Sequence, residues 1–96
     1  METERKLSAE PEDMTEYDWF GEGRIRETAG NIEGAIEAFG KAIKLNPNFG
    51  KAWYYKALLH FELDQKEDAI ACAKKAMEIK PDWEKYLRKN LVGLEF

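Results

Sequence analysis

A unit of 34 residues occurs twice in this chain of 96 residues, and that period limits the possible folds more than any other feature. Residues 30–47, GNIEGAIEAFGKAIKLNP, and residues 64–81, DQKEDAIACAKKAMEIKP, share an Ala-Ile pair, a second Ala seven residues after the first and a closing Pro. The same offset carries Trp19 onto Trp53. Repeats of about 20 to 50 residues are typical of proteins that stack one small structural unit on the next.

Helical spacing of apolar residues runs through both copies of the repeat, which cover 16–49 and 50–83. Thr15 and Asp18 are three residues apart and predict a capping box, while Met14 is placed to pack on Trp19 as a hydrophobic staple. Gly-Asn and Asn-Pro pairs interrupt the pattern, because glycine permits turns and the residue before a proline is driven out of the helical region. The pattern predicts five helices and no strand, over 16–28, 32–45, 49–62, 65–79 and 83–94.

Two further helix starts are predicted from acidic residues. Asp64, in the turn of the second unit, has Glu67 three residues later, which places Glu67 as its capping partner. Asp82 follows Pro81 and is predicted to cap the fifth helix.

The first helix of each unit carries large and small residues on one face, which we expect to be the core face. In the two units this face comprises Trp19, Gly23, Arg26, Trp53, Ala57 and His60. A large ring followed one turn later by a tiny residue suits the close approach of another helix. The expected counterparts on the second helices are also small, namely Ala35, Ala42, Ala69 and Ala76.

These residues form a recognisable pattern: Trp19-x3-Gly23, Gly30, Ala35-x3-Phe39-x2-Ala42-x4-Pro47, then Trp53-x3-Ala57, Ala69, Ala76 and Pro81. The pattern resembles the tetratricopeptide repeat, a helix-turn-helix unit of about 34 residues. The resemblance implies an all-α fold, a right-handed superhelix of antiparallel helix pairs (an α-α solenoid). It also implies one domain over 15–96, made of repeat one (16–49), repeat two (50–83) and a capping helix (84–96). The departures from the pattern are Glu22, Arg26, Asp64 and Ala73.

An acidic lead, residues 1–14, precedes the predicted domain. Seven acidic residues against two basic ones give residues 1–18 a net charge of −5, so the remaining 78 residues carry +1 of the chain's −4. A solvated, disordered tail is one interpretation of the lead. The other is that the lead lies in a basic groove and competes with acidic partners, in which case deleting 1–14 strengthens binding of an acidic, apolar peptide at low salt.

The resemblance implies that function resides in a groove lined by the first helix of each repeat, where relatives bind peptides or partner segments. One helical stripe opposite the core face predicts the lining of that groove, and neighbouring cations extend it. The predicted groove residues are Tyr17, Phe20, Arg24, Lys51, Tyr54, Leu58, Phe61, Lys85, Arg88 and Lys89. Because the aromatic residues lie off the core face, we expect them not to be needed for packing within a helix pair. A partner with apolar anchors and acidic groups would suit this groove.

Three other functions remain open. The exposed aromatic residues could close a homodimer, so self-association is the second hypothesis, and a regulatory piece of an enzyme complex is a further one. Co-chaperones similar to this chain hold acidic C-terminal tails with a clamp of basic and asparagine side chains. The clamp positions correspond here to Phe20, Arg24, Tyr55, Lys85 and Lys89, of which the two lysines alone match.

Composition argues against several other classes. His60 is the only histidine and Cys72 the only cysteine, so we expect packing roles for both, no metal, no cofactor and no catalysis. The mild net charge of −4 argues against a nucleic-acid binder, and the chain contains no run of about 20 apolar residues. A lone cysteine and an N-terminus, METERKLSAEPEDM, without an apolar stretch predict a cytoplasmic protein that does not bind membranes.

Overall fold

The computed structural model describes residues 13–96, which form five α-helices and no strand. Helices joined by short turns pack as pairs, α1 with α2 and α3 with α4, and α2 also packs on α3. A 3-10 turn, Pro81–Trp83, leads into the last helix. The all-α solenoid prediction is therefore confirmed. The helices are α1 Glu16–Thr28, α2 Ile32–Leu45, α3 Gly50–Glu62, α4 Lys66–Ile79 and α5 Glu84–Asn90.

The start of α1 confirms the predicted capping box. The backbone N–H of Asp18 donates to Thr15 Oγ1 at 3.1 Å, and the backbone N–H of Thr15 donates to Asp18 Oδ2 at 3.0 Å. Two amide groups that a helix N-terminus leaves without partners are thereby satisfied. Met14 packs on the core cluster that contains Trp19, as the staple requires. The acidic lead at 1–14 lies outside the described residues apart from its last two, and its role stays a prediction.

The turns between paired helices keep one backbone geometry in both repeats. Gly30 has φ +85°, and Asp64, which lies 34 residues later, has φ 61°. Aspartate is among the few residues that tolerate this left-handed conformation, so it can replace the glycine. The predicted capping pair of Asp64 and Glu67 is wrong. Because Asp64 is used to reverse the chain, Gln65 occupies the cap position of α4, and its side chain makes no capping hydrogen bond.

Small residues let the paired helices approach closely, as predicted. All four alanines expected at the helix contacts are fully buried, namely Ala35, Ala42, Ala69 and Ala76. The ring of Phe39 on α2 lies directly over Gly23 on α1, where an added Cβ would come within 2.6 Å of it. Trp19 is buried beside them, whereas its counterpart Trp53 is half-buried and donates from Nε1 to the carbonyl of Pro47 at 2.8 Å.

Arg26, an expected core-face residue that departs from the family pattern, connects the first helix pair. Its Nη1 donates to the carbonyl of Gly34 on α2 at 3.0 Å, and its Nε donates to Glu22 at 2.9 Å. Glu37 of α2 lies 3.7 Å from the same guanidinium. Arg26 therefore links α1 to α2 through hydrogen bonds and an ion pair rather than through apolar packing.

The fifth helix differs from its prediction at both ends. It was expected over 83–94 with Asp82 as cap, but the 3-10 turn that starts at Pro81 delays the helix to Glu84. The helix ends at Asn90, and Gly93, with φ +91°, redirects the chain. This reversal lets the last residues pack on the second core cluster, in which Leu87 and Leu91 are fully buried.

Two glycines in α1 provide a matched test of the close helix contact. We expect Gly23→Ala to lower the free energy of unfolding by about 1–3 kcal/mol, because the new methyl group overlaps the Phe39 ring. Gly21 has no described atom within 4 Å of an added Cβ, so Gly21→Ala should raise stability by up to about 1 kcal/mol through helix propensity. Urea denaturation measures both. Equal effects of the two substitutions would contradict the packing argument.

Candidate peptide-binding groove

A continuous series of ring contacts runs along the face predicted to bind peptides. Phe20 of α1 stacks on Phe49 at 5.0 Å between centroids, and Tyr54 of α3 meets Trp83 edge-on at 5.3 Å. These pairs are equivalent in the two repeats, since each partner moves by 34 residues. Tyr55 joins the two pairs. We call this series the aromatic band; it consists of Tyr17, Phe20, Phe49, Tyr54, Tyr55 and Trp83.

Several groove aromatics also hold the fold together, contrary to the expectation from sequence. Phe20 lies 5.4 Å from the ring of Phe39 on the paired helix, so the prediction that it is not needed within the pair is wrong. Tyr54, Leu58 and Phe61 are half-buried and pack on the second core cluster. The stripe lies beside the core face rather than opposite it, so its side chains reach both the paired helix and the neighbouring repeat. Only part of the surface of each of these side chains is therefore accessible to a ligand.

Arg24 is held against the band near α1. Its guanidinium carbon lies 4.3 Å from the centroid of the Tyr55 ring, a cation–π distance. Its Nε lies 3.2 Å from Glu27 Oε1, which is buried and accepts no hydrogen bond from the described residues. The charge of Glu27 is therefore balanced by Arg24 alone among these contacts. The Arg24 guanidinium therefore already contacts one carboxylate and one aromatic ring of its own chain.

The cations nearer α5 have fewer partners. Lys51 and Lys89 are exposed and form no ion pair with residues 13–96. Lys85 Nζ lies 5.2 Å from the centroid of the Tyr86 ring. Arg88 differs, because its Nε donates to Glu84 at 2.9 Å and its guanidinium lies against the ring of Phe96. Uncompensated positive charge is therefore concentrated at the α3–α5 end of the face.

A cleft of about 240 Å³ opens where the aromatic band meets these lysines. We call it the anchor cleft; its walls are Lys51, Tyr54, Tyr55, Trp83 and Tyr86. Two of these five, Lys51 and Tyr54, were predicted as groove residues. Tyr55 was predicted only as a clamp position, and Trp83 and Tyr86 were not predicted. The equivalence of Phe49 and Trp83 in the repeat could have identified Trp83. Tyr17 lies at the far end of the band, against Phe49, and Leu58 and Phe61 do not line the cleft.

His60 and Cys72 have the packing environments that the sequence predicts. His60 is 9% exposed, and its Nδ1 is 2.7 Å from Gln65 Oε1 in the turn that follows. Cys72 lies in the second core cluster, and burial raises the pKa of its thiol, with Lys56 opposing that rise and Asp68 adding to it. Residues 13–96 contain no group of three or more side chains suited to a metal ion.

The paired helices, the repeated turn geometry and the shared face define a helical-repeat interaction protein. Residues 20–82, more than half of the chain, match the sequence model of the tetratricopeptide repeat. The chain belongs to the tetratricopeptide repeat family. In class it is therefore a protein–protein interaction module.

Three relatives place the chain beside longer proteins. It is 33% identical over 85 residues to "Protein STIP1 homolog" of Dictyostelium discoideum, which is 88% of this chain and 15% of that protein. It is 32% identical over 63 residues to "Hsp70-Hsp90 organizing protein 2" of Arabidopsis thaliana, covering 66% of this chain and 11% of that one. It is also 39% identical over 64 residues to "Small glutamine-rich tetratricopeptide repeat-containing protein 2" of Mycosarcoma maydis, covering 67% and 18%. The chain thus spans less than a fifth of the length of each.

Within residues 13–96, no helix has the length and apolar character needed to cross a bilayer.

The environment of Cys72 predicts slow thiol chemistry. A raised pKa leaves less thiolate at a given pH, and burial blocks access to the reagent. We expect iodoacetamide at pH 8 to alkylate Cys72 on the order of tenfold more slowly in the folded protein than in urea. Mass spectrometry of timed aliquots measures both rates. Equal rates in the two conditions would contradict the buried placement.

Proposed function

We propose that the chain binds a segment of a partner protein along the face that carries the aromatic band, and that this binding is its cytoplasmic, non-catalytic role. The observation that carries the proposal is the juxtaposition of half-exposed rings with lysines that have no ionic partner among the described residues. Rings supply large apolar contact area, and lysines supply attraction for carboxylates. A segment with apolar anchors and acidic groups complements both.

The relatives suggest a second, narrower function, the co-chaperone-like binding of acidic C-terminal tails. It is favoured by similarity to a protein whose name describes the organization of Hsp70 and Hsp90. At the corresponding clamp positions this chain has only Lys85 and Lys89 in the expected form. The two asparagines and the first lysine of the clamp are missing. Phe20 and Tyr55 are packed against each other at 5.7 Å, and neither carries an amide or ammonium group. We therefore favour binding of acidic segments in general over recognition of a free terminus.

Charge reversal on the proposed groove tests the main proposal. Peptides would be selected from a random 12-residue library with the wild-type protein, and the affinity of each would then be measured by fluorescence anisotropy at low salt. We expect enrichment of acidic and aromatic residues. We expect Lys51→Glu combined with Lys85→Glu to weaken binding at least about tenfold, since the reversed charges repel the ligand.

The matched control carries the same charge change on the second helices of the repeats. Lys44→Glu combined with Lys74→Glu alters exposed residues of α2 and α4 and should leave the affinity within about twofold. Circular dichroism should be unchanged in both double variants. Equal losses in the two variants, or a library that selects no acidic peptides, would refute binding at this face.

Self-association through exposed apolar side chains is the alternative function. Its supporting observation is the exposure of Val92, at 72%, and Tyr86, at 47%, near the last helix. If these residues close a homodimer, light scattering will give twice the chain mass, and Val92→Glu will shift the protein to the monomer. A monomer at all concentrations up to about 0.1 mM would exclude this alternative, since stable dimers have Kd values well below that concentration.

A further inference from the structure

We propose that the anchor cleft receives one large apolar or aromatic side chain from an internal stretch of a partner, and that a neighbouring side-chain carboxylate of that stretch binds Lys51. This inference rests on the proposed function, because it concerns one part of the same face. It makes the ligand an acidic, aromatic internal segment rather than a chain terminus.

The walls of the anchor cleft are fixed before any ligand arrives. Trp83 lies directly against the backbone of Gly50, where an added Cβ would be 3.0 Å from Cζ3 of the indole. Tyr54 touches Trp83 on one side and Tyr55 on the other, with centroids 5.3 and 5.7 Å apart. Rings held by such contacts lose little conformational freedom on binding, which favours affinity. The cleft is suited to a planar or branched apolar side chain.

The positive charge of the anchor cleft argues against a cation, which is a common ligand of aromatic sites. Rings grouped around a cavity often bind cations, because their faces carry negative potential. Here Lys51 is part of the wall, and no carboxylate of residues 13–96 lines the cleft. Lys85 Nζ lies over the ring of Tyr86, which is also part of the wall. A cation would be repelled, whereas an anion beside the apolar anchor would find a lysine without an ionic partner among residues 13–96. Charge complementarity therefore selects an acidic segment.

The contacts at the α1 end of the face argue against recognition of a ligand by its terminal carboxylate. Phe20 is enclosed by Phe39, Phe49 and Tyr55, and Arg24 is stacked on Tyr55 beside Glu27. Arg24 already forms an ion pair with Glu27, so its charge is less available to a terminal carboxylate than that of Lys51. The available charge lies at the anchor cleft, where a single Asp or Glu side chain is sufficient.

Four short probes separate these requirements. The reference probe is acetyl-Asp-Phe-Asp-amide, which has an aromatic anchor, side-chain carboxylates and no free terminus. The comparison probes lack the anchor (acetyl-Asp-Ala-Asp-amide), lack the charge (acetyl-Asn-Phe-Asn-amide), or carry only a terminal charge (acetyl-Asn-Phe-Asn with a free carboxylate). Titrations followed by ¹H–¹⁵N NMR use the indole N–H of Trp83 as the reporter, with those of Trp19 and Trp53 as internal references.

We expect the reference probe to shift the Trp83 indole signal and to bind about tenfold more tightly than each comparison probe. Tyr86→Ala should weaken the reference probe about fivefold, whereas Tyr17→Ala, at the far end of the aromatic band, should have no effect. Lys51→Met should remove the preference for the charged probe, and Lys44→Met should not. Both tyrosines are exposed, at 47% and 69%, so neither substitution should unfold the chain.

Failure of this inference is distinguishable from failure of the proposed function. If library-selected peptides lose affinity in the Lys51→Glu, Lys85→Glu variant but not in Tyr86→Ala, the face binds peptides and the anchor cleft is not the anchor site. If the probe with only a terminal carboxylate binds as well as the reference probe, terminus recognition replaces the internal segment. If peptides lose affinity in neither variant, both the inference and the proposed function are refuted.

Discussion

The close contact of Phe39 with Gly23 is the interaction on which the first repeat depends. The ring fills the space left by the missing side chain and sets how near α2 can lie to α1. The same ring contacts Phe20 and Tyr55, at 5.4 and 5.9 Å, so the contact that closes the pair also supports the aromatic band. Because protein interiors are packed as densely as crystals, a change in the distance between α1 and α2 would displace the residues packed around them. The α1 end of the proposed groove thus depends on the packing of one ring over one glycine.

The second repeat reaches a similar arrangement by different packing. Ala57 and Ala73 occupy the positions equivalent to Gly23 and Phe39, and both are fully buried. No ring from α4 fills this contact, and the apolar volume is completed instead by Leu87 and Leu91 from the last helix and its end. The last helix is therefore a necessary part of the second core rather than an accessory. This dependence also positions Trp83, since the turn that carries it leads into that helix.

The two ends of the proposed groove differ in how their charges are compensated. At the α1 end, Arg24 is bound to Tyr55 and Glu27, and at the α5 end Lys51 has no ionic partner among the described residues. Exposed ion pairs contribute little to stability, so the difference matters more for binding than for folding. An acidic ligand approaching the face would be attracted chiefly to the α5 end. The aromatic band then provides contact area along the rest of the segment.

The amino-acid sequence alone determined the repeat, the five helices, most of their boundaries and the family, because period, small residues and prolines act locally along the chain. It also predicted Arg24 and Lys51 among the residues that lie beside rings of the aromatic band. Tertiary structure decided which contacts the side chains make. Phe20 packs within its own helix pair, and Arg24 lies over the ring of Tyr55. Trp83 and Tyr86 complete the walls of the anchor cleft. Tertiary structure also decided where the last helix ends, since burial of Leu91 and the turn at Gly93 outweigh helical spacing. Such outcomes depend on contacts between residues distant in sequence, which a periodic pattern does not specify.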